Sequence, residues 1–161
     1  MKRAAIAIVD AARARLYTYQ HDADSQEFVE ALDLVSAGRR AKDGDYFTEA
    51  SPGTRNVVGT RHGVDDHRNA HRDEMDSKFA AHVTSELERM ANERGLKHVV
   101  FVTTPRMLGV VRPHLETLRK HGFLVDELER DLSKLTAPQI QDHLAQLDVI
   151  EPRRRAVQPR R

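Results

Sequence analysis

The chain lacks cysteine altogether, and only 5% of its 161 residues are aromatic. The absence of cysteine excludes disulfide bonds, a thiol nucleophile and zinc sites built on thiolates, and it is compatible with a reducing compartment. Long apolar runs are also missing, because none approaches the ~20 residues that span a bilayer. Asp10 and Arg13 interrupt the apolar run near the start. We therefore expect no signal peptide, no membrane contact and a cytoplasmic protein.

The sequence has no large excess of either charge, with 26 basic residues, 25 acidic residues and a formal net charge of +1. A nucleic-acid binder that is basic throughout is therefore excluded, and any such role must depend on local patches. The clearest patch is residues 152–161, which hold five arginines and no acidic residue. We expect a folded domain of residues 1–150 followed by a basic, disordered tail of residues 151–161.

Apolar patterns in the first part of the chain predict strands. Residues 4–9 are continuously apolar, which is typical of a strand buried on both faces. Two alternating runs follow, at residues 13–19 and 28–35. Their short connections predict an antiparallel meander of three strands.

The second half of the chain shows both periodicities. Two apolar stripes at helical spacing predict helices that end near Gly95 and Gly122. Residues 99–102 and 123–130 predict strands, and Thr136 with Gln139 has the capping-box pattern that opens a last helix. The order β-β-β, long loop, α-β-α-β-α predicts a single α/β domain in which helices cover a mixed sheet of about five strands.

Residues 36–72 match neither pattern and are predicted as a long loop. They contain five of the eight glycines, seven Lys or Arg residues and three histidines. A structureless segment of this length inside a compact domain is usually functional or disordered. The seven basic residues are candidates for contacts with phosphate groups, which would make binding strongly salt-dependent. They are Arg39, Arg40, Lys42, Arg55, Arg61, Arg68 and Arg72.

Motifs of known enzymes are absent. The chain has no Gly-x-x-x-x-Gly-Lys-Ser/Thr, no Gly-x-Gly-x-x-Gly and no nucleophile elbow. His67 and His71 could place two metal ligands on one face of a helix, but the metalloprotease pattern requires Glu where Arg68 stands. Two solvated histidines account for this spacing more simply. We therefore predict neither a metal nor a cofactor.

Six segments have a recognisable order along the chain. They are IVDAARARLY at 8–17, SPGTR at 51–55, GTRH at 59–62, Phe79, VFVTTPRMLGVVR at 100–112 and ELERDLS at 127–133. Together they resemble the bacterial host attachment protein family, which is named for the attachment of a plant-associated bacterium to its host. The first and fifth segments are the most specific, and the resemblance covers nearly the whole chain up to the tail.

That family is similar to the middle domain of the eukaryotic and archaeal peptide-chain release factor, in which three strands lead into a long loop and then a helix. In the release factor this loop carries Gly-Gly-Gln, whose glutamine helps to position water for the hydrolysis of peptidyl-tRNA. The resemblance implies the same topology here, with residues 36–72 in the place of that loop. The chain has no Gly-Gly dipeptide and no glutamine between Gln26 and Gln139. Release-factor catalysis is therefore not implied.

These observations lead to two hypotheses of different kinds. In the first, the protein is a non-catalytic binding module whose seven basic residues contact RNA or the ribosome. In the alternative, it is a hydrolase that uses Asp10 with His62 or His67 as acid–base groups. Asp10 would otherwise accept hydrogen bonds from the turn amides of residues 11–13. The family name adds an indirect role in surface attachment through protein partners. We favour the binding module, and the sequence predicts no oligomeric state.

Overall fold

The computed structural model describes the backbone of residues 2–38 and 62–154, and the side chains of these residues except 62–66. Within these ranges, five strands and three helices follow one another. They are β1 (Lys2–Val9), β2 (Arg13–His21), β3 (Gln26–Val35), α1 (His62–Glu93), β4 (His98–Thr103), α2 (Pro105–Lys120), β5 (Leu124–Glu129) and α3 (Ala137–Gln146). This order confirms the predicted α/β architecture.

The five strands form one mixed sheet in the order β3-β2-β1-β4-β5. The first three strands pair antiparallel, since short turns join them. The pairs β1–β4 and β4–β5 are parallel, because parallel neighbours need longer crossover connections, here provided by helices. β1 therefore lies in the middle of the sheet, between the antiparallel and the parallel parts.

Helices cover both faces of the sheet, which explains the uninterrupted apolar run in β1. Ala5 and Ala7 pack into one core with α1 and α2. The alternate residues Ile6 and Ile8 pack into a second core with α3. Because successive side chains of a strand point to opposite faces, a strand between two cores must be apolar at every position.

Local signals place the helix ends where the sequence predicts them. Gly95 follows α1 with a φ of 62°, and Gly122 follows α2 with a φ of 90°. These values lie in the left-handed region that glycine adopts without a steric penalty. At the start of α3, the N–H of Thr136 donates to Oε1 of Gln139 over 2.9 Å, as a capping box requires.

The predicted long loop is shorter in the structure. The sequence indicates a loop up to residue 72, but α1 begins at His62. The described side chains from residue 67 to residue 74 are all exposed, so this part of the helix has no apolar stripe that periodicity could reveal. At the other end, Ser36 is buried and its N–H donates to the carbonyl of Ala12 over 2.8 Å. Residues 39–61 lie outside the described ranges.

The folded domain also extends slightly past its predicted boundary at residue 150. Nε of Arg153 lies 2.6 Å from Oδ1 of Asp142 in α3. The guanidinium of Arg154 donates to the carbonyl of Ala23 over 2.7 Å. The backbone N–H of Arg154 donates to Oε1 of Gln26 over 2.9 Å. These contacts anchor the chain as far as Arg154. The rest of the predicted tail, residues 155–161, lies outside the described ranges.

Candidate nucleic-acid interface

The first turns of α1 project beyond the sheet. α1 has 32 residues and is therefore about 48 Å long at 1.5 Å per residue. β1 has 8 residues and spans only about 26 Å. Because α1 ends next to the turn that leads into β4, its excess length lies at its beginning. We call residues 62–75 the arm; among the described side chains of α1, that of Asp76 is the first to be buried.

The arm projects from the sheet edge that is formed by the carboxyl ends of β1 and β4. At this edge the chain leaves β1 toward β2 and leaves β4 toward α2, in opposite directions across the sheet. Such a divergence between neighbouring parallel strands is where open α/β sheets bind ligands. The hydroxyl of Thr103 donates to the carbonyl of Val9 over 2.7 Å and ties the two strand ends together.

Arg106, in the first turn of α2, holds the base of the arm. Its Nη1 lies 2.8 Å from Oδ2 of Asp76, and its Nη2 lies 3.0 Å from Oδ1 of Asp73. The Asp76 side chain is only 3% exposed. A carboxylate this deeply buried requires a compensating cation, and Arg106 supplies it. Two ion pairs therefore join the base of the arm to α2.

Four basic residues share one side of the arm. At 3.6 residues per turn, positions i, i+1, i+4 and i+5 lie on the same side of a helix. His67, Arg68, His71 and Arg72 have this spacing, and all four are exposed. The carboxylates of Asp73 and Asp76 adjoin this side and contact Arg106, and Asp76 lies one helical turn after Arg72. We call the four residues the basic face.

The two arginines of the basic face differ from most others in the described part of the chain. Arg13, Arg15, Arg89, Arg106, Arg112, Arg119 and Arg153 each form an ion pair with a carboxylate. Neither Arg68 nor Arg72 forms an ion pair with any described residue. Within the described residues, no carboxylate competes for these guanidinium groups, whose planar geometry suits phosphate oxygens.

The structure describes only two of the seven predicted RNA-binding residues. Arg68 and Arg72 lie on α1, not on a loop, and stand one helical turn apart. The remaining five, Arg39, Arg40, Lys42, Arg55 and Arg61, lie outside the described ranges. Sequence reasoning missed the contribution of Arg106 and Asp76, because no local pattern connects two charges on different helices. It considered His67 and His71 as metal ligands or solvated residues, and His67 also as an acid–base group, although their spacing relative to the arginines places them on the basic face.

Asp10 has the structural role that the sequence suggested as its simpler explanation. Its Oδ1 accepts hydrogen bonds from the N–H groups of Ala12 and Arg13, each over 2.7 Å. Its own N–H donates to the carbonyl of Arg13 over 2.9 Å. The carboxylate therefore closes the turn between β1 and β2.

Beyond the arm, the described residues hold a cavity but no cluster of metal-binding side chains. No group of three or more metal-binding side chains occurs there, and no helix in those ranges is long and apolar enough to cross a membrane. A cavity of about 580 Å³ lies at the opposite edge of the sheet, beside Lys2, His98 and Asp126. Two ion pairs lie at this cavity, since Nε2 of His98 lies 2.7 Å from Oδ2 of Asp126 and Nζ of Lys2 lies 2.9 Å from Oε1 of Glu151.

Fold and site together define a single-domain α/β protein with a mixed five-stranded sheet and a projecting helical arm. A family model described as "Protein required for attachment to host cells" matches residues 5–144. The chain therefore belongs to this host attachment family, as the sequence resemblance predicts. No curated protein matches the chain.

Two solved structures show a weak similarity to the chain, and both are Ppx/GppA proteins of Aquifex aeolicus. The first, a phosphatase in its type II variant, is 13% identical, has a TM-score of 0.42 and is matched over 80% of this chain and 36% of its own. The second, a family member, is 14% identical with a TM-score of 0.39, over 80% and 35%. The chain thus spans about a third of the length of these proteins. A likeness at this level carries no argument about function.

Proposed function

We propose that this member of the host attachment family is a non-catalytic binding module that presents the arm to RNA. The basic face provides the described part of the contact surface. The other members of the predicted RNA-binding set, Arg39, Arg40, Lys42, Arg55 and Arg61, lie outside the described ranges. The proposal depends mainly on one observation. Arg68 and Arg72 are exposed on one side of a projecting helix, and neither forms an ion pair with a described residue.

The side chains of the basic face favour a polar, anionic partner. The exposed residues of the arm from 67 to 74 include no large apolar side chain, so the arm cannot dock into an apolar groove as amphipathic helices do. Arginine binds phosphate oxygens in a bidentate manner, and phosphate contacts supply most of the sequence-independent affinity for RNA. The choice of RNA among polyanions rests on the resemblance to release-factor middle domains, which remains a prediction.

The hydrolase alternative is less well supported. Asp10 uses its carboxylate within the β1–β2 turn, and His67 lies on the exposed arm. The role of the family in attachment to host cells is compatible with a binding module that acts indirectly, through the partner that it recruits.

The proposal is tested by measuring RNA affinity at salt concentrations between about 50 and 300 mM, where each phosphate contact of a single strand adds about 0.7 to the salt slope. We expect Arg68→Ala with Arg72→Ala to lower the slope by about 1.4 and the affinity by about tenfold at physiological salt. Arg94→Ala with Lys120→Ala is the matched control. It removes the same charge from exposed positions at the carboxyl ends of α1 and α2, far from the arm. If both double variants lose the same RNA affinity, or if RNA binding is insensitive to salt, the proposal is contradicted.

A further inference from the structure

Gly38 lacks a side chain for a different reason from the glycines that end helices. Its φ lies outside the left-handed region that Gly95 and Gly122 occupy, so its backbone conformation does not itself require glycine. A Cβ atom at position 38, however, would lie 2.5 Å from Cε and 2.7 Å from Sδ of Met75. Cβ atoms do not approach other atoms this closely, so any larger residue must displace Met75. The contact with Met75 is therefore what favours glycine here.

The segment that carries Gly38 is fixed to the sheet. It follows β3 directly, and Ser36 is buried with its N–H donating to the carbonyl of Ala12 over 2.8 Å. Ala12 lies in the turn that Asp10 closes between β1 and β2. Gly38 is itself half-buried. Met75 therefore rests on a backbone segment whose position the sheet determines.

Met75 is the last residue of the arm and lies on the same side as the basic face. It follows Arg68 by seven positions and Arg72 by three, spacings that align side chains along a helix. The carboxylates that pair with Arg106 lie at least about 100° around the helix from Met75. The base of the arm is thus held from two directions, by α2 through ion pairs and by residue 38 through Met75. Two such contacts fix the direction of a helix, whereas a single contact would leave a hinge.

We propose that Gly38 is a positioning residue for the RNA site: by leaving room for Met75, it sets the direction in which the arm presents Arg68 and Arg72. The inference rests on the proposed function and adds a residue that acts on the same site through Met75. Arg68 lies about 10 Å from Met75 toward the beginning of the helix, at 1.5 Å per residue. A tilt of about 15° at Met75 moves Arg68 by about 3 Å, which is enough to lose a hydrogen bond to a phosphate. The affinity for RNA therefore depends on the space at position 38.

The direction of the arm can be measured without RNA. Because the chain has no cysteine, Asn69→Cys with Gln146→Cys attaches one spin label to the arm and one to the end of α3, and electron–electron double resonance gives the distance between them. Gly38→Val should shift or broaden this distance by about 3 Å or more. Gly38→Val with Met75→Ala should restore the original distance, because alanine removes the atoms that the valine would meet. Ala37→Val, at the exposed neighbouring position, is the control.

The same variants are then compared in their binding to a uridine oligoribonucleotide over a series of salt concentrations. Gly38→Val should bind about fivefold more weakly, and its salt slope should fall by about 0.7 for each phosphate contact that is lost. The double variant with Met75→Ala should regain both, and Ala37→Val should match the unaltered protein. A general loss of stability would not change the salt slope of the folded protein, and urea denaturation shows what fraction of each variant is folded.

The outcomes separate the two proposals. If Gly38→Val leaves the label distance unchanged, or if Met75→Ala does not restore it, Gly38 does not position the arm and this inference is overturned. The inference is also overturned if the label distance changes but the RNA affinity does not. If the unaltered protein binds no RNA at any salt concentration, the proposed function fails and the inference with it, whatever the label distances show. Should Gly38→Val not fold, Gly38→Ala with the same second substitution takes its place, since an alanine Cβ already meets Met75.

Discussion

At the scale of single residues, two short polar side chains determine where elements begin and end. Oδ1 of Asp10 accepts two backbone N–H groups and turns the chain from β1 into β2. Gln139 accepts the N–H of Thr136 and begins α3. In both cases the side chain satisfies a backbone donor that the adjoining strand or helix leaves unpaired. Such side chains stabilise the ends of the elements that they join.

Replacement of Asp10 tests this structural role. We expect Asp10→Ala to lower the free energy of unfolding by about 1–2 kcal/mol, because two turn amides lose their acceptor. Asp10→Asn should lose less, since the amide oxygen still accepts. Urea denaturation monitored by circular dichroism measures both. Equal stability of the two variants, or loss of RNA binding by folded Asp10→Asn, would contradict a purely structural carboxylate.

Residue roles of this kind can be predicted from the sequence when the partners are close along the chain. Asp10 and its amides lie within three positions of each other, as do Thr136 and Gln139. The ion pairs of Arg106 with Asp73 and Asp76 depend on how α2 crosses α1, which no local pattern records. The seven basic residues could be chosen by charge alone, but only the structure shows that Arg68 and Arg72 share a helix side with His67 and His71.

At the scale of elements, α1 combines two different helices in one. From Asp76 onward it has an apolar stripe, with Phe79, Val83 and Leu87 at most 5% exposed. Before Asp76 the arm has no such stripe. The sequence therefore predicts the packed part correctly and misses the arm, because hydrophobic periodicity reports burial rather than helicity. The strands and the other two helices were predictable from their apolar runs, alternations and stripes, including β3, in which no residue is fully buried.

Removal of the Arg106 side chain tests how the arm is attached. Arg106→Ala leaves the buried carboxylate of Asp76 without its cation, and we expect a loss of about 2–3 kcal/mol, below the usual cost for a buried pair because Arg106 is itself half-exposed. Adding Asp76→Asn should restore part of this stability. Amide exchange of residues 67–74 should become faster in Arg106→Ala. Urea titration and hydrogen exchange provide the two measurements.

Arg89→Ala is the control for this experiment, since Arg89 pairs only with Glu86 and Glu93 on the exposed side of its own helix. Its stability should be nearly unchanged. If Arg106→Ala behaves like this control in both measurements, the arm does not depend on Arg106.

At the scale of the whole molecule, ion pairs join neighbouring elements around the sheet. Arg15 donates to Glu30 across β2 and β3, and this hydrogen bond lowers the pKa of the Glu30 carboxyl. Burial opposes a low pKa at Glu127, but the hydrogen bonds from Arg112 and Arg119 outweigh it and hold the pKa below its usual value. Both carboxylates are thus more acidic in the folded state than in the unfolded chain.

The resulting dependence of stability on pH has a definite sign. Because the unfolded chain binds protons more readily at Glu30 and Glu127, these groups stabilise the fold above about pH 4.5 and lose that contribution as the pH falls through the lowered pKa values. We expect the urea midpoint to fall between about pH 5 and 3, and to fall less in Glu30→Gln with Glu127→Gln. Glu27→Gln, an exposed position on β3, is the control. If the urea midpoint falls equally steeply with pH in the unaltered protein, the double variant and the control, Glu30 and Glu127 are not the cause.

The position of β1 in the middle of the sheet has a consequence for synthesis of the chain. β1 can pair with β2 and β3 as soon as these three strands leave the ribosome, because their contacts are local. Its other edge, however, pairs with β4, as in Ala5 with Val99, and β4 is made only after the whole of α1. During translation, the nascent meander therefore exposes an apolar strand edge that invites pairing with other chains. Closure of β4 against β1 is the step that ends this exposure, so slow translation before residue 98 would favour aggregation of the unfinished protein.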